Sequence, residues 1–116
     1  MAESPTITVR ENTTSDIDFQ LLAGNTAINL TGIDHLQMEM RDKSRKVYSY
    51  STADSSPSIS IVTASEGKVR FTPPSETIFL SSKSPYKGYW KIWEKSTKWY
   101  ACPEDSEFLL YVREEF

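Results

Sequence analysis

The chain has 116 residues, 38% of them hydrophobic and 25% charged, with a net charge of -3. That length gives a single domain, 1–116, able to bury roughly two thirds of its unfolded surface, and the acidic balance argues against nucleic acid, which a basic patch would announce. No apolar run approaches the ~18 residues of a membrane-crossing helix. MAESPTITVRENTT also lacks the charged and apolar regions of a secretory signal, so the sequence predicts folding in a cytosol.

In chain order, residues 1–5 are expected to fray. Alternating segments follow: TITVR, DIDFQLL, HLQMEMR, KVYSYS, SISIV, KVRFT, YWKIW, KWYAC and EFLLYV. Between them stand Gly24-Asn25, Thr31-Gly32, Ser55-Ser56-Pro57, Glu66-Gly67, Pro73-Pro74, Ser84-Pro85 and Gly88, which are turn chemistry. RDKSRK reads as a charged turn. SETIFLSSKSP, bracketed by prolines, reads as a crossover containing at most one short helical turn or a weak strand. No segment keeps the 3.6-residue apolar period a covering helix needs. Strands without helices can only cover one sheet with another, so the sequence predicts an all-β, two-layered antiparallel sandwich.

The residues of catalysis and metal binding are sparse. The one histidine, His35, follows Asp34 at a strand start, with no strained nucleophile turn to accompany it. The one cysteine, Cys102, cannot form an intrachain disulfide and reads as a small buried apolar residue. One histidine and one cysteine do not make a zinc site, and glycines at 24, 32, 67 and 88 do not make a phosphate loop. Asp16 and Asp18 share a strand face, and Glu104, Asp105 and Glu107 cluster in PEDSE. Such carboxylates can ligate calcium or act as an acid/base pair, but a solvated face and a polar turn are the plainer reading. The sequons at Asn12 and Asn29 carry no weight without a secretory signal. The expectation is a protein that is not an enzyme and has no metal and no cofactor.

The unusual feature is aromatic. All three tryptophans and three of the six tyrosines fall within residues 86–105. In a strand, Tyr89 and Trp93 point one way, Trp90 and Ile92 the other. On the return strand Trp99 and Ala101 oppose Tyr100 and Cys102, while Tyr48 and Tyr50 share one face of KVYSYS. One face fills the core. The other either forms cross-strand pairs against the stems of Lys91, Lys95 and Lys98 or makes a contact surface. The candidate partner- or glycan-binding residues are Tyr89, Trp93, Trp99, Tyr48 and Tyr50.

The order of INLTGIDHLQMEMRD, EGKVRFTPPSETIFL and YKGYWKIWEKSTKWYACPEDSEFLLYVRE resembles the N-terminal domain of phage baseplate upper proteins. The positions that carry the resemblance are Leu30-Thr31-Gly32, Met40-Arg41, Gly67-Val69-Phe71, Gly88-Tyr89-Trp90, Tyr100-Pro103 and Leu110-Val112. They span about residues 6 to 115. The resemblance implies an Ig-like sandwich of 7–9 strands in a virion, docking onto other phage structural proteins of the tail, baseplate or capsid surface. Together with the missing signal and the missing apolar run, the expectation is synthesis in the host cytoplasm and no membrane partner. Family members usually continue into a fibre-like or trimerising region, whereas this sequence stops at Phe116; MAESP and VREEF read as natural ends, and the expectation is a complete small virion protein. A carbohydrate-binding module on a host surface glycan is the alternative, and homo-oligomerisation stays open.

Overall fold

The computed structural model describes residues 6–103 and 107–114. Its strands are β1 (Thr6–Arg10), β2 (Ile17–Gln20), β3 (Leu22–Ala23), β4 (Thr26–Ala27), β5 (His35–Arg41), β6 (Val47–Ser51), β7 (Ile59–Thr63), β8 (Lys68–Phe71), β9 (Tyr86–Lys95), β10 (Lys98–Cys102) and β11 (Phe108–Arg113). Six strands form one sheet, ordered β1-β11-β9-β5-β6 with β10 also on β9; β2-β8-β7 form a second of three. β3 and β4 make a separate small hairpin. The fold is an all-β sandwich, as the alternation predicted, and its strand order is that of an immunoglobulin-like domain. The crossover yields a 3-10 turn at Ser81–Lys83, and another at Ala64–Glu66 precedes Gly67.

Alternation explains which residues are inside. In β5, Leu36, Met38 and Met40 are buried while the residues between them are only partly covered. β9 runs through the centre, pairing with β5 along Lys87–Trp93 and burying Tyr86, Gly88, Trp90 and Ile92. The second sheet closes over this face with Ile17, Ile59, Val69 and Phe71. Gly88 is required by this closure: a Cβ there would sit 2.6 Å from both the Glu39 carbonyl oxygen and the Phe108 ring. Gly67 ends its 3-10 turn at φ 66, where a Cβ would lie 2.6 Å from the Leu21 carbonyl.

Tyr86 locks the start of β9. Its hydroxyl donates to the Ile78 carbonyl at 2.7 Å and accepts from the Leu80 N–H at 3.1 Å. This is the tyrosine corner of immunoglobulin-like sandwiches. Phe79, in the loop so held, is fully buried and packs edge-on against Tyr86 at 5.2 Å and Phe71 at 5.9 Å.

The opposite side of β9 is paired in two instalments. β11 pairs with Tyr86–Gly88, and β10 with Trp90–Lys95. β10 and β11 therefore run in the same direction as one interrupted strand, with residues 103–107 inserted between Cys102, opposite Trp90, and Phe108, opposite Gly88. β1 continues the sheet beyond β11 in parallel register, Thr6 opposite Leu109 through Arg10 opposite Arg113. No second neighbour joins β10 among the described residues, so β10 is an edge.

Candidate functional site

The two faces of β9 separate as the sequence requires: Trp90 and Ile92 are buried, and Tyr89, Lys91 and Trp93 face outward, half-covered. Most of that half-cover comes from neighbours on the same sheet face. The Tyr89 hydroxyl donates to Glu39 Oε2 at 2.9 Å, and Lys91 Nζ reaches Glu39 Oε1 at 3.2 Å. Burial first, then the Glu39 hydrogen bond, raises the Tyr89 pKa above its ordinary value. Trp93 Nε1 donates to Gln37 Oε1 at 3.3 Å, and Gln37 Nε2 donates in turn to Ser49 Oγ at 2.8 Å.

At one end of this face, register aligns His35, Trp93 and Trp99 in a row across β5, β9 and β10. The His35 ring stacks on Trp93 at 5.2 Å and 15°, and the Trp99 ring is tilted to Trp93 at 6.0 Å and 43°. Lys91 Nζ lies 4.7 Å from the Trp99 centroid, a cation–π contact. His35 Nδ1 is 2.6 Å from Asp34 Oδ2. Rings that stack on one another present edges rather than open faces, so Trp93 offers no flat platform of the kind a sugar stacks on.

Within the β9–β10 hairpin, the exposed aromatics are on β10. Trp99 is 42% exposed on the outer face and Tyr100 38% exposed on the inner one. Tyr100 has the same facing as buried Ile92, yet the second sheet stops short of it. In place of that sheet the β3–β4 hairpin borders a cleft of about 680 Å³, lined by Leu22, Ile28, Trp99, Tyr100, Cys102 and Pro103 among others. Partial burial, then the Glu94 charge, raises the Tyr100 pKa. A register shift between Lys98 and Trp99 bounds one end of the strand, and Pro103, which has no N–H, bounds the other. Only Trp99–Cys102 offers a regular free ladder. Two lysines beside this edge are ion-paired, Lys91 with Glu39 at 3.2 Å and Lys98 with Glu94 at 3.9 Å.

Two of the residues expected at the surface are elsewhere. Tyr48 is only 8% exposed, with its hydroxyl donating to buried Asp42 at 3.0 Å. Tyr50 packs against the core, its ring 4.9 Å from Phe71. Both lie on the inner face of β6, which the second sheet covers, so they are not part of a contact surface. Burial pushes the Tyr50 hydroxyl up to about 12, and burial followed by the Asp42 hydrogen bond raises that of Tyr48. Tyr89 and Trp93 lie beside the edge, and Trp99 is on it. Tyr100, absent from the sequence-based set, joins Trp99 there; nothing in the alternation of KWYAC shows that the second sheet ends before reaching it.

The remaining candidates resolve as structure. Arg70 Nε lies 2.8 Å from Asp18 and 3.7 Å from Asp16, and Thr72 donates to Asp16 at 2.6 Å. That hydrogen bond from Arg70 holds the Asp18 carboxyl below its ordinary pKa. Cys102 is buried, with Sγ 3.6 Å from the Leu22 carbonyl, and burial raises its pKa. Glu107 meets Arg41 at 3.3 Å, while Glu104, Asp105 and the first five residues lie outside the described residues. Among the described residues, no group of three or more His, Cys, Asp or Glu is placed to hold a metal ion. Among the described residues, no helix is long and apolar enough to cross a membrane.

No protein-family model matches the chain, and no curated protein matches it either.

Proposed function

We propose that the chain is a non-catalytic docking module that attaches to another protein through the β10 edge, with Trp99 and Tyr100 as its anchors. The observation that carries this is their placement: two large aromatics, 42% and 38% exposed, on opposite faces of one strand whose second side has no neighbour among the described residues. Exposed Trp and Tyr contribute large contact area at small entropic cost and dominate interface energetics. A partner that adds a short strand to Trp99–Cys102 covers both rings at once. The bulge and Pro103 keep that ladder short, so side chains rather than backbone supply most of the binding.

The setting proposed for this module is a bacteriophage virion, where it docks onto a tail, baseplate or capsid-surface component. Support for that setting is the motif order from Leu30-Thr31-Gly32 to Leu110-Val112, which resembles baseplate upper proteins, together with an immunoglobulin-like strand order. The ring-on-ring packing at His35, Trp93 and Trp99 favours a protein partner over a host glycan. Immunogold labelling of intact particles of the phage that carries the gene tests the setting. Label at a defined place on the particle is expected; particles free of label would refute it.

A further inference from the structure

β10 pairs with one end of β9. At the other end, beside Lys87, the outer sheet face meets the turn between β5 and β6 in an open cleft of about 480 Å³. Arg41, Lys43, Arg45 and Lys87 line it together with Asp42 and Pro85, a concentration of cations on a chain whose net charge is -3. Arg41 meets Glu107 at 3.3 Å, but among the described residues no carboxylate lies within ion-pair distance of Lys43, Arg45 or Lys87. Asp42 is turned inward. It is 6% exposed, and its carboxylate accepts from the Ser44 and Lys46 N–H groups at 2.8 and 3.0 Å and from the Tyr48 hydroxyl at 3.0 Å. These bonds fix the turn, and the Lys43 N–H adds one to the Lys83 carbonyl at 2.9 Å. Two local costs accompany the arrangement. Arg45 is held at φ 68, a left-handed conformation in which Gly, Asn and Asp are the usual residues. Arg41 and Lys87 stand directly opposite each other in register, and like charges so placed destabilise a sheet. Costs of this kind gather at functional sites.

We infer that this cleft is a second docking point, which takes a short acidic segment of a partner polypeptide. Arginine forks and lysine ammonium groups are the partners that carboxylates require. Here the turn that presents Lys43 and Arg45 is fixed before the partner arrives, so little ordering opposes binding. Val47, 57% exposed and opposite Arg41, adds an apolar side chain at the border for the flank of such a segment. The cationic ground is short: the next cleft along the same face already includes Glu39 and Glu107. A nucleic-acid backbone follows a longer basic stripe and would run onto those carboxylates, whereas a short acidic segment ends before them. This inference does not depend on the β10 edge, since neither Trp99 nor Tyr100 takes part.

Fluorescence anisotropy of fluorescein-labelled hexaglutamate, titrated with the chain, tests it. At about 20 mM salt, half-saturation is expected on the order of 0.1 mM, weakening several-fold at about 150 mM. Lys43→Glu/Arg45→Glu is expected to bind at least about tenfold more weakly. Lys95→Glu/Lys98→Glu, which changes the net charge equally but at the β9–β10 turn, is expected to stay within about twofold of wild type. Arg45→Asn relieves the left-handed strain, so it is expected to hold or raise the melting temperature while weakening hexaglutamate about threefold. That variant decides the matter should charge reversal unfold the chain. Absence of saturable binding, wild-type affinity in Arg45→Asn, or an equal loss in the two charge-reversed pairs would overturn the inference. Labelled hexathymidylate binding more tightly than hexaglutamate would overturn it in favour of nucleic acid. Sedimentation showing dimers that Lys43→Glu/Arg45→Glu abolishes would overturn it in favour of a second copy.

Discussion

β6 and β10 are both edges of the six-stranded sheet, and both carry two aromatic residues, yet they end up in opposite circumstances. Tyr48 and Tyr50 of β6 sit two apart and face inward together, where Phe71 and Tyr86 pack on them at 4.9 and 6.0 Å. Trp99 and Tyr100 of β10 are adjacent, so they must face opposite ways, and neither face is closed over them. The difference comes from the reach of the three-stranded sheet, which covers β6 and stops before β10. An aromatic pair is therefore core or contact surface according to what lies above it, not according to its composition.

Substitution on the covered edge gives the largest expected effect. Tyr48→Ala removes a buried ring and leaves Asp42 without its hydroxyl donor, and is expected to lower unfolding stability by about 3 kcal/mol in urea denaturation. Tyr86→Phe keeps the ring but strips the Leu80 N–H and Ile78 carbonyl of their partner. That loss is expected to cost about 2 kcal/mol, read as a drop in the denaturation midpoint. A midpoint unchanged in Tyr86→Phe would remove the tyrosine corner from the account of β9.

Alkaline titration separates the tyrosines without mutation. Tyr50, with a folded pKa of about 12, favours its neutral form more in the folded than in the unfolded chain. Its contribution is fully present below the unfolded pKa of about 10 and is lost as pH rises from about 10 towards 12. Ultraviolet absorbance of the phenolates should show Tyr48 and Tyr50 ionising late, with stability falling over that window. The smallest effect belongs to the open edge: Tyr100→Ala is expected to change stability by no more than about 0.5 kcal/mol. A loss comparable with that of Tyr48→Ala would mean that Tyr100 is core after all.

Much of this fold is legible in the residues. HLQMEMR alternates Leu36, Met38 and Met40 against polar neighbours, and YKGYWKIW splits into a buried and an outward set. Local alternation tells two faces apart but not which one is inside, nor how far a cover extends. Those depend on long-range pairings such as β1 beside β11, which nothing in TITVR announces. Phe79 shows the same limit: SETIFL is neither strand nor helix, yet a single ring from it is fully buried because Tyr86 pins the loop. At the candidate site, Trp99 was within reach of sequence reasoning. Tyr100 was not, since its exposure arises from where the second sheet ends.

The central claim is that β10 is the attachment edge, and incorporation into particles tests it most directly. In the proposed virion setting, phage particles lacking the chain are supplied with wild type or with Trp99→Ala/Tyr100→Ala, the two matched for melting temperature, and the bound protein is quantified after sedimentation. The account predicts that wild type sediments with the particles and that the double variant binds at least about tenfold less, as expected when interface anchors are removed. Equal incorporation of the two proteins would contradict it.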